Sequence, residues 1–87
     1  MPEVRAMTMP TDETPSLARE VFLELDRAQA LHAPMHGPHE GYAVILEELD
    51  ELWDEVKARC QDRMKMRKEA MQVAAMALRF ISDVCDR

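Results

Sequence analysis

Apolar residues recur at helical spacing in three segments of this 87-residue chain, and this periodicity restricts its fold more than any other feature. The segments cover residues 16–31, 39–62 and about 63–84. No apolar-polar alternation is long enough to indicate a strand. Two glycines, few aromatic residues and eight methionines are typical of helices with a pliable core. The sequence therefore predicts an all-α fold, a small bundle of three to four helices.

The predicted apolar faces are wide for so short a chain. They comprise Leu17, Val21, Leu25 and Ala28 in the first helix, Ile45, Leu49, Leu52 and Val56 in the second, and Met66, Ala70, Val73, Ala77, Phe80 and Val84 in the third. Tyr42, Leu46 and Trp53 widen the second face, as core or subunit-interface residues. Because a short chain buries a smaller share of its surface, we expect a homo-oligomer, a dimer or tetramer, to complete the bundle.

Prolines and glycines divide the chain into an arm and a helical domain. Residues 1–15 hold three of the five prolines and predict a flexible N-terminal arm, followed by a helical domain over residues 16–87. Thr14-Pro15-Ser16 predicts the start of the first helix. Residues 32–41 predict a break, and the basic segment 63–68 either turns or starts the third helix.

Charge and cysteine usage limit the partners. A formal net charge of −6 argues against binding a nucleic-acid polymer, which usually requires a basic face. No leader and no apolar run of membrane-spanning length are recognisable, so we expect no membrane partner and a cytoplasmic location. Cys60 and Cys85 form no zinc-binding spacing, and we expect both thiols to be reduced.

Acidic residues on two helices form the clearest candidate site. Glu48, Glu51 and Glu55 share one flank of the second helix, which is either a solvated acidic face or part of a cation site. Glu69 falls among core residues of the third helix, where an unpaired carboxylate costs several kcal/mol. Its partner is either a metal ion shared with the second helix or a basic side chain. Arg79 is the candidate counter-ion, or else a phosphate ligand.

These acidic residues resemble a known family. The segments Glu47-Glu48-Leu49-Asp50-Glu51 and Glu69-Ala70-Met71-Gln72, within residues 39–84, resemble the motif of the MazG-like all-α nucleoside triphosphate pyrophosphohydrolases. The resemblance implies that Glu48, Glu51 and Glu69 bind Mg²⁺, with Mn²⁺ as an alternative. Gln72 stands where the family has an Asp. An amide oxygen still coordinates the ion but supplies no charge.

The resemblance also implies a reaction. Metal-activated water attacks the α-phosphorus of a (deoxy)nucleoside triphosphate and releases the monophosphate and pyrophosphate, with Glu47 as the first choice of proton acceptor. Because Gln72 is neutral, Glu47, Glu55 or Asp83 compensates for the missing charge, or the chain does not hydrolyse its ligand efficiently. The alternatives are a non-catalytic nucleotide-binding or protein-interaction oligomer and a purely structural bundle.

Basic side chains supply the candidate substrate ligands. Arg67 and Lys68 belong to a basic run that either contacts phosphates or forms a solvated turn with ion pairs to helix acids. His39, with His36 as an alternative, is placed at the mouth of the site. The candidate substrate-binding residues are thus His39, Arg67, Lys68 and Arg79.

Overall fold

The computed structural model describes the backbone of residues 13–87 and the side chains from residue 16 onward. Three α-helices, α1 (Glu13–Leu31), α2 (Pro38–Val56) and α3 (Arg63–Phe80), are followed by a π-helical turn, Ile81–Cys85. No strand occurs within this described range, so the all-α prediction is confirmed. Both α1 and α2 pack against α3. None of the helices described has the length and apolarity needed to cross a bilayer.

The helix boundaries differ from the prediction at two places, and at a third the structure has one of the two predicted alternatives. Helix α1 begins at Glu13, three residues before the predicted start, while residues 1–12 of the predicted arm lie outside the described range. Helix α2 ends at Val56 instead of continuing to residue 62, and the Gln61 side chain donates to the Val56 carbonyl at 2.8 Å. The basic segment starts α3 rather than forming a turn, because the Asp62 carboxylate accepts hydrogen bonds from the Met64 and Lys65 amides.

The C-terminal residues hold the connection between α1 and α2. The Asp83 carboxylate, on the π-helical turn, accepts a hydrogen bond from the Met35 amide at 2.9 Å. The Arg87 guanidinium donates to the Met35 carbonyl at 2.8 Å, and Arg79 donates to the Ala33 carbonyl at 2.6 Å. Met35 itself is almost fully buried. The short connection is therefore fixed against α3 and the turn that follows it.

The buried core is small. Among the side chains described, the buried apolar ones are Ala28, Met35, Ala75 and Met76, with Leu25, Val44 and Ile45 packed against this group. Several residues predicted to line the core are exposed instead, namely Leu17, Leu49, Ala70 and Ala77. Part of each predicted apolar face is therefore exposed to solvent in the single chain.

Candidate functional site

Three carboxylates converge between α2 and α3. One oxygen from each of Glu48, Glu51 and Glu69 lies within 4.8 Å of the other two, and we call this group the acidic triad. Glu48 and Glu69 are half-buried, and Glu51 is exposed. The structure thus brings together the three residues for which the sequence predicted a shared cation.

Helix geometry explains the convergence. Glu48 and Glu51 are three residues apart and therefore lie on neighbouring positions of one helix face. Glu69 occupies the face of α3 that also carries Met76, and α2 packs along that face. The N-cap at Asp62 fixes where α3 begins, which sets the level at which Glu69 meets α2.

Mutual repulsion perturbs the triad. Burial raises the pKa of Glu48, and the charges of Glu51 and Glu69 raise it further. The pKa of Glu51 is also raised, first by loss of solvent around its carboxylate and then by the charge of Glu69. Like charges at this distance disfavour the ionised forms. A cation between the three carboxylates would remove this repulsion.

Glu24 of α1 is a fourth acidic neighbour that the sequence analysis missed. Its charge contributes to the raised pKa of Glu48. Its own pKa is lowered, first by a hydrogen bond from Arg27 and then by one from Gln72. The Arg27–Glu24 ion pair measures 2.6 Å. The available signal was that Glu24 directly precedes Leu25 of the α1 core stripe, which places it at the edge of the core.

Gln72 lies near Glu24 of α1, and the two side chains line the same cavity. The Gln72 amide contributes to the lowered pKa of Glu24. The residue that corresponds to the family's fourth ligand therefore has a carboxylate neighbour that the motif does not include. Among the other acids considered as compensation for its neutral amide, Asp83 is committed to Met35 and Arg79, whereas Glu47 lines the cavity beside Glu48.

Arg79 pairs with Asp83. The Arg79 Nε lies 3.5 Å from the Asp83 carboxylate, and the two side chains are only 7% and 11% exposed. Its terminal nitrogens contact the Ala33 carbonyl and the Met76 sulfur. The geometry therefore favours Asp83 over Glu69 as the counter-ion of this guanidinium. The prediction that Glu69 binds a metal ion is still untested.

A cavity of about 470 Å³ adjoins the triad at Glu48. Its lining combines the acidic groups Glu47 and Glu48 with the basic groups Arg27, His36 and Arg79. A volume of this size is within the range of small-molecule sites. His36 donates its backbone N–H to Glu40 at 2.7 Å. The cavity thus offers positive and negative groups close together.

The other predicted substrate ligands lie outside this cavity. His39 is exposed at the start of α2 and is not among the lining residues. Arg67 forms a two-pronged ion pair with Glu20 of α1, with both N–O distances at 2.9 Å. Lys68 lines a second cavity, of about 430 Å³, together with Glu24 and Gln72. The structure therefore brings the acids together but disperses the predicted cations.

Comparisons of this chain with models of known protein families, with curated proteins and with solved structures found no match. The resemblance to the MazG-like family accordingly stays a prediction.

Proposed function

We propose that the chain is a Mg²⁺-dependent nucleotide pyrophosphohydrolase that cleaves (deoxy)nucleoside triphosphates to the monophosphate and pyrophosphate. The observation that carries the proposal is the acidic triad, in which Glu48, Glu51 and Glu69 from two helices approach within 4.8 Å. Hard divalent cations select oxygen ligands of this kind. Neither Arg79 nor Arg67 neutralises the triad, because their ion-pair partners are Asp83 and Glu20.

The chemistry of the triad fits a hard cation, but its oxygens must move closer together to bind one. Mg²⁺ binds oxygens at about 2.0–2.1 Å in octahedral geometry, so neighbouring ligands lie about 3 Å apart and opposite ligands about 4.2 Å apart. The triad oxygens lie within 4.8 Å of one another, so the glutamate side chains must rotate toward a shared centre to bind Mg²⁺ or Mn²⁺. When bound, the cation would lower the pKa of a coordinated water and neutralise phosphate charge.

The cavity supports the substrate class. Triphosphate oxygens carry negative charge, and the lining of the cavity includes Arg27, His36 and Arg79. Glu47 lines the same cavity beside Glu48, which supports its proposed role as proton acceptor for the attacking water. His39, Arg67 and Lys68 stay in the proposal as ligands of an extended substrate beyond the cavity.

Gln72 favours a second candidate function. Its amide is neutral and lies near Glu24, so this position adds no fourth charge to the three carboxylates of the triad. A weaker metal site suits a non-catalytic module that binds nucleotides or a protein partner. The proposal in either form includes a cytoplasmic homo-oligomer, a dimer or tetramer.

Thermal melts with Mg²⁺ and with EDTA test the metal site. A cation that binds only the folded chain raises the melting temperature, by an amount set by its concentration relative to the dissociation constant. We expect this increase for the wild type and its loss in Glu48→Gln, Glu51→Gln and Glu69→Gln. The matched control is Asp50→Asn, an exposed acid of α2 outside the triad. An equal metal response in all four variants would rule out the triad as the site.

Pyrophosphate release separates the two candidate functions. We expect release from at least one nucleoside triphosphate with Mg²⁺ in the wild type and none in Glu69→Gln. Metal-dependent stabilisation without release across all common nucleoside triphosphates would favour the non-catalytic module. Gln72→Asp supplies the charge that the family has at this position, and it should tighten Mg²⁺ binding if the side chain can turn from Glu24 to the triad.

A further inference from the structure

Helix α2 carries an exposed apolar stripe on the flank opposite the acidic triad. Tyr42, Leu46, Leu49 and Trp53 are 65%, 40%, 46% and 56% exposed. Their spacing of four, three and four residues keeps them in one row along the helix. A contiguous row of this kind marks an interaction surface more often than a scatter of single exposed side chains does.

The stripe is separate from the core and from the triad. At 3.6 residues per turn it lies roughly 90° around α2 from the line of Gly41, Ile45 and Leu52, which faces the interior. The exposed Glu51 lies on the other flank of that line. A macromolecule bound to the stripe therefore leaves the triad and its cavity open.

Helix α3 extends the same surface. Ala70, Ala77 and Ile81 are exposed and lie about half a turn of the helix from Ala75, which is fully buried. The start of α2 meets the end of α3 at Gly41 and Phe80, so the two helices are antiparallel. From their positions around α3 we infer that the three residues adjoin the stripe. We call the stripe together with these three α3 residues the apolar face.

The apolar face has the area that a stable dimer needs. Its exposed fractions correspond to on the order of 500 Å² of apolar surface, since an aromatic side chain alone carries about 150–250 Å². A standard interface takes about 800 Å² from each partner, of which about 60% is apolar. One apolar face pressed against an identical one meets this requirement.

We propose that the apolar face is the interface with a second copy of this chain, with the two α2 helices antiparallel. The spacing of the stripe is that of a helix seam, which fits another helix rather than an extended peptide. A twofold axis between Leu46 and Leu49 pairs Leu46 with Leu49 of the second copy and Tyr42 with Trp53 of the second copy. Each leucine then meets a leucine and each aromatic ring an aromatic ring.

Charge selects the antiparallel direction. Six of the seven acidic residues of α2 lie between residues 47 and 55. A parallel pair brings these two acidic halves side by side, where like charges repel. The antiparallel pair places each acidic half beside the N-terminal half of the other α2, and it also aligns the helix dipoles favourably.

Fluorescence of Trp53, the only tryptophan, reports the interface directly. We expect its emission to shift to shorter wavelength as the protein concentration rises, in step with a monomer–dimer transition in sedimentation equilibrium. Leu49→Glu should weaken association by at least about thirtyfold, as a residue at the centre of an interface does. The matched control, Leu23→Glu, alters a leucine of α1 that is more exposed than Leu49, and it should leave association unchanged.

Two mixtures of variants test the direction of the helices. Leu46→Glu mixed with Leu49→Lys places Glu opposite Lys in an antiparallel pair and should restore the dimer, whereas each variant alone should not associate. Leu46→Glu mixed with Leu46→Lys should not restore it. Restoration by the second mixture only would overturn the antiparallel arrangement. A monomer at millimolar concentration with unchanged Trp53 emission would overturn the interface itself.

The metal proposal and this interface fail independently. Sedimentation with EDTA measures the dimer without any cation, and the Glu69→Gln variant should associate as the wild type does. Loss of the metal response with the dimer intact would remove only the proposed activity. Loss of the dimer with the metal response intact would remove the interface and the homo-oligomer included in the proposed function, but not the metal site.

Discussion

Replacement of Gly41 by alanine should destabilise the protein through a single steric contact. Gly41 lies in the first turns of α2, where a Cβ would overlap the Phe80 ring at Cδ2 and lie 2.7 Å from Cε2, and it would approach the Met35 sulfur at 3.1 Å. Separations this short require the ring or the helix to move. Only glycine lets α2 approach the end of α3 this closely.

The net effect is the difference between two opposing contributions. Alanine is favoured over glycine in a helix by up to about 1 kcal/mol, and by less near the N-terminus. Overpacking of a well-filled site costs about 1–3 kcal/mol. We therefore expect Gly41→Ala to lower the free energy of unfolding by about 1–2 kcal/mol. For a domain of this length, this corresponds to a decrease in melting temperature of roughly 5–15 °C.

Thermal melts followed by circular dichroism, at one fixed protein concentration, measure this loss. In a Phe80→Leu background the same substitution should cost less, with a coupling free energy of about 1 kcal/mol. The matched control is Gly37→Ala. No atom lies within 4 Å of its Cβ position, so any small change from the altered N-cap should not depend on Phe80. An effect of Gly41→Ala that is the same in the wild-type and Phe80→Leu backgrounds would refute the close contact.

Three further predictions concern the ends of α3 and the triad. Asp62→Ala should lower the free energy of unfolding by about 1 kcal/mol, since two amide donors lose their cap, and chemical denaturation measures this change. Asp83→Ala should lower the free energy of unfolding by about 3 kcal/mol in the same assay, because it leaves the buried guanidinium of Arg79 without its counter-ion. A smaller loss than that caused by Asp62→Ala would contradict the ion pair. Burial and then the charges of the other triad acids raise the pKa of Glu48, so the wild type loses stability as the pH rises from the ordinary value of 4.5 through the raised pKa. Glu48→Gln without metal should therefore be more stable than the wild type near pH 7, with no gain below about pH 4 in pH-dependent melts.

The helices could be predicted from the sequence because their apolar periodicity is local information. The spacing of Leu25 and Ala28, or of Ile45 and Leu52, identifies a helix without reference to any other segment. The end of α2 at Val56 was not predicted, because no proline or glycine follows it and a side-chain cap from Gln61 takes that place. The N-cap of α3 is recognisable from the sequence, because Asp62 is a preferred N-cap residue directly before the third periodic segment.

Contacts between helices were predictable only in part. Glu69 was recognisable because a charge among core residues requires a partner, and Glu48 and Glu51 follow from their shared face. Glu24 and the Asp83 partner of Arg79 depend on how α1 and the C-terminal turn pack against α3. That packing is set by the crossing of helices far apart in sequence, for which a single chain carries no periodic signal. The exposure of Leu49 was unpredictable for the same reason. The periodicity identifies an apolar helix face, but it does not show which segment packs against that face.

The two proposed surfaces lie on the two flanks of α2, and this arrangement determines how they interact. Glu48 and Glu51 occupy one flank, and Leu46 and Leu49 the other, so both sets of residues share the backbone of one helix. A second copy bound to the apolar face holds α2 in place along its length, which reduces the conformational freedom that a ligand at the triad must remove. Energetic coupling between two sites is reciprocal. A cation that orders α2 should therefore strengthen the dimer by the same factor by which the dimer strengthens cation binding, although no residue belongs to both sites.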